Sequence, residues 1–241
     1  MNHLQDTTVL VLGLGESGLA MARWCAAAGA RLRVWDSREA APLASALAEH
    51  VPQAQWLRGP LTDAALDGVK LVLKSPGLSP FDPRIAGVLQ RAAAIGLPVQ
   101  GELDLFARAL ADLKAEHGYA PKVLAITGTN GKTTTTAMTA QLIARTGKRV
   151  AAAGNIGPTM LQTLADALAR EPLGGTVSAG ADAEARRAAD DTADADASAR
   201  VQGGGDGDDA IAVDLIDADA PDVAPAGRRA RPARRRAHRR R

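Results

Sequence analysis

The chain has 241 residues, room for one or two domains, and its 29 Lys and Arg nearly balance 27 Asp and Glu. That balance averages unlike segments, so it argues for neither a nucleic-acid nor a membrane-surface protein. One cysteine, Cys25, excludes a disulfide framework, and no apolar run approaches the roughly 18 residues of a membrane span. No charged lead precedes an apolar block at the N-terminus, so no signal peptide is expected, and a reducing cytoplasm is the expected location.

Residues 1–113 alternate strand-like and helix-like patterns. Thr8 to Leu12 is an apolar, β-branched run entering Gly13-Leu14-Gly15-Glu16-Ser17-Gly18. Apolar positions at Leu19, Met21, Trp24 and Cys25 then predict a helix ending near Gly29. Arg31 to Trp35 predicts a second strand, with Asp36-Ser37-Arg38 at its carboxyl end. Leu71 to Leu73 predicts a short strand leading into Lys74-Ser75-Pro76-Gly77; Pro83 to Ile95 predicts a helix, and Pro98 to Gln100 a last strand. Such alternation implies a parallel sheet covered on both faces.

Gly-x-Gly-x-x-Gly after a first strand is the dinucleotide pattern, and Asp36 lies near the position of an acid that grips a ribose. Read alone, these residues suit an NAD-binding dehydrogenase. The physics is broader, because any diphosphate suits the backbone amides at a helix N-terminus. A ligand-free strand–helix turn uses the same glycines.

Residues 114–121 are polar, with Gly118 and Pro121, and read as a linker. His117 within it reads as a solvent-facing loop residue rather than a base. Val123 to Ile126 then predicts a buried strand, breaking into Thr127-Gly128-Thr129-Asn130-Gly131-Lys132-Thr133-Thr134 and a helix to about Thr146. This is the plan of a phosphate-binding loop. Gly128 and Gly131 let the backbone curl round an anion, and the helix adds its positive dipole end. Lys132 is placed to reach outer phosphates, and the Thr133 hydroxyl to ligate magnesium. The threonines after Lys132 do not favour a helix, which suggests placement for phosphate and metal. A strand from Arg149 to Ala153 and a helix from Thr159 to Arg170 follow.

The general nucleotide-binding loop has four residues between its glycines; here only Thr129 and Asn130 intervene. The shortened form resembles the Mur ligase and folylpolyglutamate synthase superfamily, which joins amino acids to carboxylates using ATP. Val9 to Gly18, Asp36-Ser37-Arg38, Ser75-Pro76-Gly77, Gly101 to Phe106 and Gly154-Asn155-Ile156-Gly157 narrow the likeness to the D-glutamate-adding branch of the Mur ligases, over residues 1–173. The resemblance implies an α/β protein. Residues 1–113 would be a Rossmann-like parallel-sheet domain binding the UDP part of UDP-N-acetylmuramoyl-L-alanine. Residues 122–173 would be an incomplete P-loop ATPase-type central domain binding ATP and Mg2+ through Gly128, Thr129, Asn130, Gly131, Lys132, Thr133 and Thr134. Carried over by position, Gly15, Glu16 and Ser17 would lie along the diphosphate and uracil, and Asp36, Ser37 and Arg38 at the uracil end. Ser75 and Gly77 would lie nearby, and Asn155 would contact the muramoyl part. Glu16 stands where the family often has an apolar or neutral residue, so its contact is expected through the backbone. In the family, ATP turns the substrate carboxylate into an acyl phosphate, which the amine of D-glutamate attacks; a monomer is expected. Another ligase of the superfamily, or a non-catalytic nucleotide-binding protein, would share the ATP loop.

From Gly174 to the end there is no Lys, Asn, Met, Cys or aromatic residue, and Ala, Arg, Asp and Gly dominate. That composition predicts disorder over 174–241. The run Ile211 to Asp214 mimics a strand ending in a metal-binding acid, which in so Ala/Asp-rich a stretch reads as chance. The Arg-rich block from Arg228 to Arg236 suits either a nucleic-acid arm or GC-rich DNA read out of frame. The second reading is favoured, with a frame change near codon 173, so no nucleic-acid partner is expected. An uninterrupted gene across that codon would refute it. The glutamate and carbamylated lysine that hold a second magnesium in the family have no match here. The histidine and C-terminal domain are likewise unmatched. No ligase turnover is therefore expected, and the half-built central domain should expose an apolar face.

Overall fold

The computed structural model describes residues 2–154, 157–170 and 210–214. Asn155 and the rest of the segment after Arg170 lie outside the described residues.

A five-stranded parallel sheet forms the first half: β1 Thr8–Leu12, β2 Arg31–Trp35, β3 Gln55–Leu57, β4 Leu71–Lys74 and β5 Val99–Gln100, in the order β3-β2-β1-β4-β5. Val9, Leu10, Val11 and Leu12 of central β1 are all 0% exposed. A strand covered on both faces needs such a continuous apolar run, where a one-sided sheet would alternate. The two-residue period splits it between two cores. Val9 and Val11 join Leu32, Val34, Leu71 and Leu73 on one face. Leu10 and Leu12 join Trp35, Val72, Ile85 and Val88 on the other.

Helices α1 Glu16–Ala27 and α4 Glu102–His117 cover the first face, and α3 Ala86–Ala94 the second. A short helix α2, Ala44–His50, follows β2. The Ala- and Pro-rich sequence around α2 and the three-residue β3 shows no clear helical or alternating period, so neither stands out in it. Cys25 on α1 is fully buried, and burial pushes its thiol up to about 12. It is inert packing.

The α4 helix corrects the expected linker. Its apolar stripe of Leu105, Phe106, Ala109 and Leu113 is buried, and the helix runs to His117 before Gly118 ends it with φ 71. Residues 114–117 are therefore helical, and His117 sits on the last turn rather than in a loop.

The second half contains β6 Lys122–Ile126, α5 Lys132–Ala144, β7 Val150–Gly154, α6 Met160–Arg170 and β8 Ala210–Asp214. Its sheet has the order β6-β8-β7, all parallel, with Ile126 and Gly154 both in register with Asp214. Two expectations are corrected here. Residues 210–214 were expected to be disordered, with their strand-like pattern fortuitous. Instead they fill the gap, one strand wide, between β6 and β7, where backbone pairing on both sides rewards an extended segment. The β6 strand was expected to be buried. It is packed by β8 and α5, yet Val123 and Leu124 are 42% and 39% exposed. Met138 and Leu142 of α5 are exposed as well, so this half does present apolar surface.

The two halves share one core. Met160, Leu161 and Leu164 of α6 pack with Met21, Leu105 and Phe106 of α1 and α4. The buried Glu102 carboxylate, at the start of α4, accepts the Leu161 backbone N–H at 3.0 Å.

Candidate functional site

The glycines of the first corner do three different jobs. Gly13 has φ +91, a value costly for any residue with a Cβ. Gly18 needs space, since a Cβ there would lie 1.9 Å from the Gly13 carbonyl oxygen. Gly15 needs neither: its φ is −91 and nothing lies within 4 Å of where a Cβ would stand. Its bare backbone caps α1 and faces open space, which leaves close approach by a ligand as its use.

Asp36 ties this corner to β2. One carboxylate oxygen accepts the Leu14 N–H at 2.6 Å, and the other accepts the Arg38 N–H and Nε at 2.8 Å each. Burial alone would raise its pKa; the Arg38 hydrogen bonds and the two amides outweigh that and lower it from 3.8 to about 2. Asp36 is thus charged and fully engaged by its own chain, acting on a ligand through the loop and through Arg38. Ser75 is similar: its hydroxyl donates to the Gly13 carbonyl at 2.8 Å and braces the corner.

One cavity of about 510 Å3 gathers the predicted residues. Gly15, Glu16, Ser17, Asp36, Ser37, Arg38, Ser75 and Gly77 all line it, and Asn155 alone of the substrate candidates lies outside the described residues. Gly154 and Thr159, on either side of the β7–α6 turn, reach the same cavity from the second half. Sequence reading passed over Asp82 and Arg84, which also line it. The signal was present, because Asp82-Pro83-Arg84 repeats the spacing of Asp36-Ser37-Arg38.

The second corner has the expected strand–turn–helix plan. β6 ends at Ile126, Gly131 takes φ +78 as the N-cap of α5, and Lys132 opens the helix. The Lys132 ammonium folds back onto the Gly128 carbonyl, spanning the loop. Thr129, Asn130, Thr133 and Thr134 are exposed. Thr136, one turn on, is buried with an unpartnered hydroxyl. For a magnesium ion the loop offers the Thr133 hydroxyl. Among the described residues no three His, Cys, Asp or Glu side chains gather as a metal cluster. A loop threonine sharing the ion with phosphate oxygens needs none, so these residues fit ATP with Mg2+.

The strand register relates the corners. Gly154, on the wall of the first cavity, lies two strands from Ile126, where the second corner begins. At about 4.8 Å per strand, these backbone points are roughly 10 Å apart on the carboxyl edge of one sheet.

Comparison with known proteins agrees with this layout. Residues 7–101 match the Mur ligase MurD-like N-terminal domain, and residues 126–179 match the Mur ligase middle domain. The chain belongs to the Mur ligase family. Over 175 residues it is 58% identical to the UDP-N-acetylmuramoylalanine–D-glutamate ligase of Albidiferax ferrireducens, covering 72% of this chain and 34% of that one. Over 163 residues it is 59% identical to the ligase of the same name from Ralstonia nicotianae, covering 68% and 33%. The Mur ligase region thus spans about a third of the length of these relatives.

Proposed function

We propose that this chain carries the nucleotide-handling part of a ligase that adds D-glutamate to UDP-N-acetylmuramoyl-L-alanine during peptidoglycan precursor synthesis. The observation that supports this most is the convergence of the predicted UDP residues on one cavity, beside an open Gly15. The α1 N-terminus and the Gly15 backbone would hold the diphosphate, and Arg38, held by Asp36, the uracil end. Ser75 and Gly77 would flank it, and Asn155 would meet the muramoyl part. At the second corner, backbone amides from Gly128 to Thr134 would cradle phosphates, and Lys132 would offset negative charge on the outer ones. In the complete ligase, ATP held here, with the Thr133 hydroxyl available to Mg2+, would supply the γ-phosphoryl of an acyl phosphate with release of ADP, and the amine of D-glutamate would displace inorganic phosphate from it. The separation of roughly 10 Å between the corners suits a substrate reaching from its UDP anchor to the phosphoryl donor.

The matched region spans about a third of the length of these relatives, and nucleotide binding is what its two corners support. The proposed setting is the cytoplasm, as a monomer, without nucleic-acid or membrane partners. No described helix is long and apolar enough to cross a membrane. Titrating the purified full chain separately with UDP-N-acetylmuramoyl-L-alanine, Mg-ATP and NAD tests the reading. Binding of the first two without NAD, and no D-glutamate-dependent ADP release, is expected. NAD binding with no affinity for the UDP compound would favour a dehydrogenase-like site instead.

A further inference from the structure

Two arginines on the rim of the first cavity are held by the same device. In Asp36-Ser37-Arg38, the carboxylate accepts the Arg38 backbone N–H at 2.8 Å, Nε at 2.8 Å and Nη2 at 2.9 Å. In Asp82-Pro83-Arg84, it accepts the Arg84 backbone N–H at 2.9 Å, Nε at 2.9 Å and Nη2 at 2.6 Å. Each aspartate locks the guanidinium two residues on, spending its Nε–Nη2 edge and leaving Nη1 without a hydrogen bond among the described residues. The side chains are nevertheless 49% and 55% exposed. Surface arginines normally keep their rotamer freedom; holding one costs conformational entropy. Here the fork is set in advance on both, over open space.

Their position says what the forks are for. Arg38 and Arg84 border both the 510 Å3 cavity and a neighbouring one of about 580 Å3, and so stand on the divide between them. On one side lie the bare Gly15 backbone and the α1 N-terminus, which suit phosphate. On the other lie Trp56, Leu57, Pro60 and Pro83 beside Glu39 and Arg58, a mixed lining whose aromatic and apolar part suits the face of a flat ring. A guanidinium can stack its plane on a ring and donate from its free edge to a ring carbonyl.

We propose that Arg84, positioned by Asp82, is a second ligand-gripping arginine, closing with Arg38 on the base of a bound pyrimidine nucleotide. This rests on the reading of the first cavity as a UDP site and adds a specificity residue to it. Asp82 is a positioning residue, touching the ligand only through Arg84.

Calorimetry on the full chain tests this with UDP, UMP and inorganic pyrophosphate as probes, and Mg-ATP as an internal control. Arg84→Ala should weaken UDP and UMP by the same factor, about five- to twentyfold for a stacked, hydrogen-bonded guanidinium. It should leave pyrophosphate, Mg-ATP and the melting temperature unchanged. Arg84→Lys keeps the charge without the flat fork and should not restore binding. Asp82→Asn should cost a smaller factor, about threefold, by freeing the fork. Unchanged UDP affinity in Arg84→Ala overturns the proposal while leaving the UDP site standing. So does a loss that grows with phosphate number, or full rescue by lysine, since either reports charge alone. Failure of the unaltered chain to bind UDP while it binds Mg-ATP overturns the UDP site itself, and this proposal with it.

Discussion

Replacing Gly18 with alanine probes the corner on which the first site is built. The added Cβ would lie 1.9 Å from the Gly13 carbonyl oxygen, 2.9 Å from its carbon and 3.0 Å from Ser75 Oγ. Relief requires a movement of more than about 1 Å, since non-bonded carbons settle at about 3.5–4.0 Å. The neighbour is backbone, and it is held: the Gly13 N–H donates to the Trp35 carbonyl at 2.7 Å, and its carbonyl accepts from Ser75 at 2.8 Å. Gly13 cannot readily give way, because its φ of +91 already lies in the glycine region. Overpacking costs about 1–3 kcal/mol, and a backbone clash belongs at the top of that range. For a cooperative unit of about 150 residues, about 3 kcal/mol lowers Tm by roughly 10 °C. Gly15→Ala is the paired control. Its site is open and its φ ordinary, so stability should stay within about 1 kcal/mol, while UDP affinity falls. Thermal unfolding followed by circular dichroism, with UDP titration of each variant, decides it. If Gly18→Ala melts within about 2 °C of the unaltered chain and binds UDP normally, the account of this corner is wrong.

Glu102→Ala should leave the Leu161 N–H buried and unpaired, costing about 1–3 kcal/mol and loosening α6 first; hydrogen exchange of residues 160–170 reads this, and Glu102→Gln, which keeps an acceptor, should lose less. Asp36 is held at about 2 in the fold, below its usual 3.8. A depressed carboxylate stabilises above its unfolded pKa, so that contribution is complete above about pH 4 and disappears as pH falls toward 2. At most about 2 kcal/mol is at stake. Urea midpoints between pH 2 and 6 should show the fall, and Asp36→Asn should flatten it while lowering stability at neutral pH. Met138→Glu with Leu142→Glu, on the exposed face of α5, should raise solubility in a sedimentation assay without lowering Tm; a lowered Tm would mean that this face is packed after all.

The sequence by itself determined the local features. The β1 run, the Gly13–Gly18 corner and the Gly128–Thr134 loop are contiguous, so strand propensity, glycine spacing and helix start can be read without knowing what packs on them. It also carried the family, because those motifs are specific. Tertiary structure decided whatever depends on residues far apart in the chain. Only packing sends Val9 and Val11 to one core and Leu10 and Leu12 to the other, and only the fold brings Arg84 beside Arg38. The α4 helix runs past the expected linker because Leu113 has a core to enter, and Gly154 reaches the first cavity because α6 docks on α1 and α4. Residues 210–214 show the limit most clearly. Their composition read as chance, yet whether a short apolar run becomes a strand depends on whether unpaired strands flank the place it can occupy. Here β6 and β7 supplied that place.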